Sequence, residues 1–168
     1  MGNAAHDANR MIDIELDGVD HINVYSRGRT QLGRDLSNFA HTPFVCADGG
    51  FASVEGYWYW LGTPAENVQR ERLRTLHGFQ AKALGKSLHS DDTPRDPDFD
   101  AKIRAAIDAK LKASPMLMAF FADSRLPLLH YYVFKNGHVV QPEKHRWVLE
   151  HLEKRRLDLQ AWYARKAG

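Results

Sequence analysis

Glu55 is the residue of this chain best placed to do chemistry. It follows the turn-forming run Asp48-Gly49-Gly50 and precedes four consecutive aromatic residues, Tyr57, Trp58, Tyr59 and Trp60. A carboxylate held against aromatic walls is poorly solvated, so its charge or proton becomes available to a bound cation or a reacting group. The spacing also fits a plainer arrangement, in which Glu55 opens an exposed helix and the rings are core. Upstream stand Asp35, Ser37, Asn38 and Phe39. Asp35 is either a second acid for the same site or an exposed turn residue.

Carboxylates of this kind suit the cleavage of a glycosidic bond, which passes through an oxocarbenium-like state. One carboxylate stabilises the developing cation, and an acid or base handles water or the leaving group. A flat base as leaving group calls for an aromatic wall, which Phe39, Tyr57, Trp58 and Trp60 can offer. Asn38 can fix orientation by hydrogen bonding. Arg27 and Arg29 directly precede this region and can meet a phosphate, although such basic groups are commonly just solvated faces.

Other chemistries lack their residues. The nine histidines include no His-Glu-x-x-His pair, and Cys46 is the only cysteine, so neither a metal centre nor a disulfide is expected. No Gly-x-Ser-x-Gly elbow, P-loop or dinucleotide fingerprint occurs, and no cofactor is expected. With Lys and Arg at 23 against Asp and Glu at 21, the chain is too near neutral to coat nucleic acid generally. Its charge is uneven, however, because Lys144, Arg146, Lys154, Arg155, Arg156, Arg165 and Lys166 crowd the C-terminal segment. The apolar runs are far short of a membrane span, and the opening residues lack the pattern of a secretory signal. A cytoplasmic protein is expected.

The elements that must position these residues read as helices with small β-pieces. Residues 1–9 are expected to be a flexible N-terminus, and residues 10–168 one domain. Alternation of Ile12, Ile14 and Leu16 with acids has the period of a half-buried strand. Residues 22–25 read as a second strand and 27–33 as a loop. Asp48-Gly49-Gly50 supplies a hairpin turn between Phe44 and Phe51, and Ser53 an N-cap for a helix through the aromatics. Thr63-Pro64-Ala65-Glu66 has the form of a capping box, predicting a helix through Val68, Leu73 and Leu76 that closes at Gly78. Phe99, Ile103, Ile107 and Leu111 mark one face of a further helix, and Ser114-Pro115 opens another. Asn136-Gly137 marks a hairpin within 131–140, and Pro142 precedes a long final helix. The sum is a mainly α protein with small β-elements, an α+β class rather than a doubly wound sheet.

The order and spacing of several motifs resemble the YbiA-like, or NADAR (NAD- and ADP-ribose-associated), family. They are Ile22-Asn23-x-Tyr25-Ser26, Leu36-Ser37-Asn38-Phe39-Ala40 and Ser53-Val54-Glu55-Gly56-Tyr57, followed by Ala81-Lys82-Ala83-Leu84-Gly85-Lys86. The run from Ile103 to Lys110-Leu111 is similar to a further family helix. The resemblance holds well over 22–86, less closely over 101–130, and fades after that. It implies a single-domain, mainly helical YbiA-like fold and an N-glycosidase acting on a nucleotide-like substrate. The substrates it implies are phosphoribosylamino-pyrimidines or ADP-ribosylated guanine, and Glu55 matches the family's essential glutamate. Members usually carry His directly after that glutamate and Lys seven residues beyond it; here Gly56 and Gly62 stand there, with Lys82 and Lys86 the nearest lysines. The family's C-terminal Trp-Gly and Asn-x-Leu-Gly motifs are replaced by the 131–140 hairpin and the basic segment around Arg146 and Trp147.

These readings together give a site of Glu55 and Asp35 as catalytic residues. Arg27, Arg29, Ser37, Asn38, Phe39, Tyr57, Trp58, Lys86 and Arg146 are the binding residues. The expected partner is a nucleotide-like small molecule or an ADP-ribosylated nucleic acid. Two further functions fit the same residues: a non-catalytic pocket for a nucleotide or ADP-ribose, and a small nucleic-acid-binding protein built on the basic C-terminal helix.

Overall fold

The computed structural model describes residues 12–90 and 92–167; the flexible segment expected at 1–9 lies outside them. In chain order the elements begin with β1 (Ile22–Asn23), α1 (Gln31–Leu36), and the hairpin β2 (Phe44–Cys46) and β3 (Gly49–Phe51). Next come α2 (Val54–Leu61), α3 (Gly78–Leu88), α4 (Phe99–Ala113) and α5 (Pro115–Asp123). The chain closes with β4 (Leu128–Leu129), the hairpin β5 (Tyr132–Val133) and β6 (Val139–Val140), and the long α6 (Arg146–Ala167). The mainly α class with small β-elements is observed.

Sequence chemistry fixes many of the boundaries. Ser53 Oγ accepts the Gly56 N–H at 3.0 Å and donates to Leu76 O at 2.9 Å, so α2 starts where its cap is anchored. Gly49 lies at φ +106 and Gly137 at φ +76, the conformations their hairpin turns demand of glycine. Ser114 caps α5 through the Leu117 N–H, with Pro115 in the first turn.

Three stretches differ from the sequence expectation. Residues 12–17 form no strand, because Asp13 accepts the Glu15 N–H and winds Ile14–Leu16 into a 3-10 turn. A helix, α1, replaces part of the expected loop, since Thr30 accepts the Gly33 N–H as its cap. The helix expected after Thr63 is instead a 3-10 turn at Arg70–Thr75, with Val68 88% exposed. Thr63 does not cap it; its hydroxyl donates to Tyr59 O at 2.8 Å. The turn is held by its arginines, Arg70 lying 3.5 Å over the Trp60 ring and Arg74 4.5 Å over Phe51. Gly78, at φ +55, opens α3 rather than closing a helix before it.

Helix α4 is the centre of the core. Its Phe99, Ile103, Ala106, Ile107 and Leu111 are buried, and it lies against α2, β2, α5 and α6. Its Lys110 is buried as well, with Nζ donating to Ser37 O at 2.8 Å. Burial pushes this ammonium down to about 7, against the pull of Asp35. The contact ties α4 to the turn that follows α1.

Helices α2 and α3 approach closely at one point. A Cβ on Gly85 would lie 2.0 Å from Tyr59 Cγ, so only glycine allows this crossing. Gly85→Ala gains about 1 kcal/mol of helix propensity but forces a ring out of place at a cost of about 1–3 kcal/mol. Clash outweighs propensity at so short a distance, and urea denaturation is expected to show net destabilisation. A more stable variant would mean that the helices part freely.

Candidate functional site

Glu55 is the second residue of α2, and its N–H donates to Asn38 O at 2.9 Å. The turn after α1, which Lys110 fastens, thus sets the depth of the helix start. The side chain is half-buried. Burial raises its carboxyl from 4.5 to about 7, with Lys82 and Lys86 of α3 pulling the other way. Tyr59, pushed up to about 12 by burial first and the Glu55 charge second, stands one turn along α2. Tyr132 of β5 is raised by burial, by Tyr25 and by Glu55. Glu55 therefore lies among two phenols and two ammonium groups.

Aromatic rings extend this centre on both sides. Phe39 meets Phe79 edge-on at 5.2 Å, Lys82 lies 5.5 Å over Phe39, and Arg27 lies 5.4 Å over Phe79. Tyr132 meets Tyr25 at 5.1 Å and His130 at 4.9 Å, and Trp58 stacks on Trp147 at 5.8 Å. Arg27, Lys82 and Lys86 form no ion pair with an acid among the described residues. Three cations outside any ion pair, beside one poorly solvated carboxyl, favour an anionic ligand.

Of the residues singled out by sequence, Glu55, Asn38, Phe39, Arg27, Lys86 and Trp58 gather here. The others have different partners. Asp35 accepts from Gln31 Nε2 at 2.7 Å and acts on Lys110 rather than Glu55. Arg29 is exposed and pairs with Glu15. Ser37 is buried, its Oγ accepting the Phe39 N–H at 3.2 Å, so it shapes the turn. Tyr57 points into the core among Phe44, Phe51 and Trp60, its hydroxyl donating to Asp48 at 2.6 Å. Arg146 pairs with Glu150 at 3.2 Å on the surface. On the same basic helix, Arg155 is engaged by Asp108 and Asp158, and Arg156 by Glu153 and Leu126 O.

Tyr25, Tyr59, Phe79, His130, Tyr132 and His145 were not foreseen. One signal was present for α3: a glycine inside a helix with Lys82 and Lys86 on its flanks marks a close crossing that carries both lysines to the neighbouring helix. For the residues from 130 onward the local signal marks a hairpin but not its place beside Glu55. They arrive through the parallel pairing of β1 with β4.

No family model matches the chain, and no curated protein matches it. Among solved structures, the NMR structure of the E. coli protein YbiA aligns with a TM-score of 0.62 at 17% identity, covering 91% of this chain and 96% of that one. The fold is YbiA-like. This YbiA-like fold explains Gly56: a Cβ there would sit 2.4 Å from Leu73 O, where the 3-10 turn passes. Position 62 differs. A Cβ on Gly62 would meet only carbonyls at 3.8 and 3.9 Å. The C-terminal end of α2 therefore has room for a side chain at Gly62, and positive charge reaches Glu55 from Lys82 and Lys86 of α3.

Among the described residues of the YbiA-like fold, no three His, Cys, Asp or Glu gather to hold a metal ion, and no helix is long and apolar enough to cross a membrane. Near neutral pH the centre is divided between a carboxylate, able to take a proton from water or face a cation, and a carboxylic acid. That poise costs stability. Below pH 4.5 Glu55 is protonated folded or unfolded, and nothing is lost. Between 4.5 and about 7 the unfolded chain ionises while the fold keeps its proton, a cost approaching about 3 kcal/mol above pH 7. Glu55→Gln should therefore stabilise the protein markedly at pH 8 and hardly at pH 4, as read by denaturant unfolding. Equal effects at both pH values would show the carboxyl to be well solvated.

Proposed function

We propose that this protein is an N-glycosidase that hydrolyses a nucleotide-like substrate in the cytoplasm, with Glu55 as the key carboxylate. The observation that carries this reading is the Glu55 carboxyl, lifted to about 7 and set among rings and unpaired cations. As a carboxylate, Glu55 faces the positive charge that grows on the sugar as the C–N bond lengthens. Water then adds to the anomeric carbon and gives its proton to Glu55, while the bonding pair leaves with the base, which takes up a proton from solvent; Glu55 afterwards returns its proton to solvent. Arg27, Lys82 and Lys86 supply charge for phosphate oxygens. Phe39, Phe79 and Trp58 offer faces to planar groups. The substrate is either a phosphoribosylamino-pyrimidine, a modified nucleotide or an ADP-ribosylated guanine, free or within nucleic acid.

A non-catalytic pocket for a nucleotide or ADP-ribose is the second reading. It is favoured by Asp35 having its partners elsewhere, which leaves Glu55 without a second carboxylate, and by the vacant side-chain position at Gly62.

One assay separates the two. A panel of N-glycosides is incubated with the protein, and free base and intact ligand are measured by mass spectrometry. The expected result is base release with kcat/KM rising through pH about 7 as Glu55 ionises. Glu55→Gln should lower it roughly 10²- to 10⁴-fold. Wild-type rates in that variant would remove the mechanism, and ligand bound but recovered intact would favour the binding reading.

A further inference from the structure

A second set of side chains adjoins the Glu55 centre and has no role in the chemistry above. The 3-10 turn Glu143–His145 holds the His145 ring edge-on to Trp58 at 5.8 Å and to His130 at 6.0 Å. Both nitrogens of His130 are engaged, Nδ1 donating to Val24 O at 2.7 Å and Nε2 meeting the Tyr132 hydroxyl at 3.2 Å. His145 is different. Its ring is half-buried, yet neither nitrogen has a hydrogen bond or ion pair among the described residues. Burial, with His130, Lys144 and Lys82 adding to it, holds this imidazole down to about 4 and therefore neutral. Lys82 is the link, because the same ammonium acts on Glu55 and lies over Phe39. A neutral imidazole offers one donor and one acceptor in the plane of its ring. Its nitrogens face solvent rather than protein groups and are not among the buried atoms left unsatisfied, so they are open to a ligand that offers a matching acceptor and donor.

We propose that His145 is the specificity-determining residue of the Glu55 site, hydrogen-bonding the edge of the ligand's heterocyclic base beside Trp58. This rests on the glycosidase reading, since it takes the ligand to be a sugar phosphate joined to a planar heterocycle with in-plane donors and acceptors. The imidazole moves no proton in the reaction; it selects which base is held. Phosphate and sugar remain with the cations and Glu55.

The test measures binding by calorimetry in the Glu55→Gln protein, which holds ligands without cutting them. Ribose 5-phosphate probes the sugar–phosphate part alone, and guanosine and uridine 5′-monophosphates add a purine or a pyrimidine. The expected result is tighter binding of at least one nucleotide than of ribose 5-phosphate. Adding His145→Phe should remove that extra affinity, roughly 10- to 100-fold, while ribose 5-phosphate changes little. His145→Asn, which keeps a donor and an acceptor, should bind nucleotides with an altered purine-to-pyrimidine ratio, and it serves equally if the phenylalanine variant fails to fold. Nucleotide affinities that survive both substitutions unchanged overturn the proposal and leave the glycosidase reading standing. So does an equal loss for ribose 5-phosphate and nucleotides, which marks a structural role, or an absence of extra affinity for either base. Failure of the His145-containing protein to bind any of the probes overturns this proposal together with the glycosidase reading.

Discussion

The burial of one carboxyl group governs the arrangement of this molecule's site. Glu55 sits in the first turn of a helix, where aligned backbone N–H groups favour the anion. Lys82 and Lys86 favour the anion too. Solvent exclusion by the surrounding rings acts against all of these and wins, since the carboxyl ends at about 7 rather than below 4.5. The result is a group suspended between two protonation states near neutral pH. Changing either influence would shift that balance: without the lysines the acid would hold its proton to higher pH, and with more water it would give it up at lower pH. The site is therefore a compromise between desolvation and compensation, and the positions of α2 and α3 set the terms.

Two glycines hold that compromise in place for different reasons. Gly85 lets α3 come so close that Tyr59 occupies the place of its side chain, which brings Lys82 and Lys86 within electrostatic reach of Glu55. Gly56 lets the Arg70–Thr75 turn pass against the start of α2, where Leu73 and Leu76 carbonyls would strike any Cβ. The turn in turn fixes Ser53, whose hydroxyl reaches Leu76 O and caps the helix. No side chain after the glutamate could fit this packing, so glycine at position 56 is a consequence of how the turn is laid down. No such constraint acts at position 62.

What could be read from the sequence was local. Asp48-Gly49-Gly50 and Asn136-Gly137 announced hairpins because positive φ has few residue solutions, and Ser53 announced the start of α2 because an N-cap is a chemical requirement. The face of α4 was legible because four large apolar residues at helical spacing have one use. Residues 12–17 misled, since a short alternation of apolar and acidic residues is compatible with both a strand and a capped turn. The capping-box pattern at Thr63 misled because the Tyr59 carbonyl competes for its hydroxyl. Glu55 stood out through its chemical company, whereas Tyr57 in the same cluster proved to be core, and only the helix phase separates the two.

The far wall of the site could not be read at all, and its construction shows why. Strand β1 pairs with β4 in parallel, and the ladder is only two residues long on each side. It is extended by a side chain. Asn23 Nδ2 donates to Tyr131 O, and Asn23 Oδ1 accepts the Tyr131 N–H, each at 3.1 Å. One buried amide thus does what another peptide unit would do, across a separation of 108 residues. Asp17 accepts the Asn23 N–H at 2.9 Å and holds the backbone from the other side. This register decides which residues after β4 face Glu55. With Tyr131 clamped to Asn23, the residues on either side of it, His130 and Tyr132, both lie against Tyr25. A slip of one position would exchange them for the core ring of Tyr131. The wall opposite the carboxylate is consequently specified by a single asparagine buried at 3% exposure, a residue with no part in the site itself.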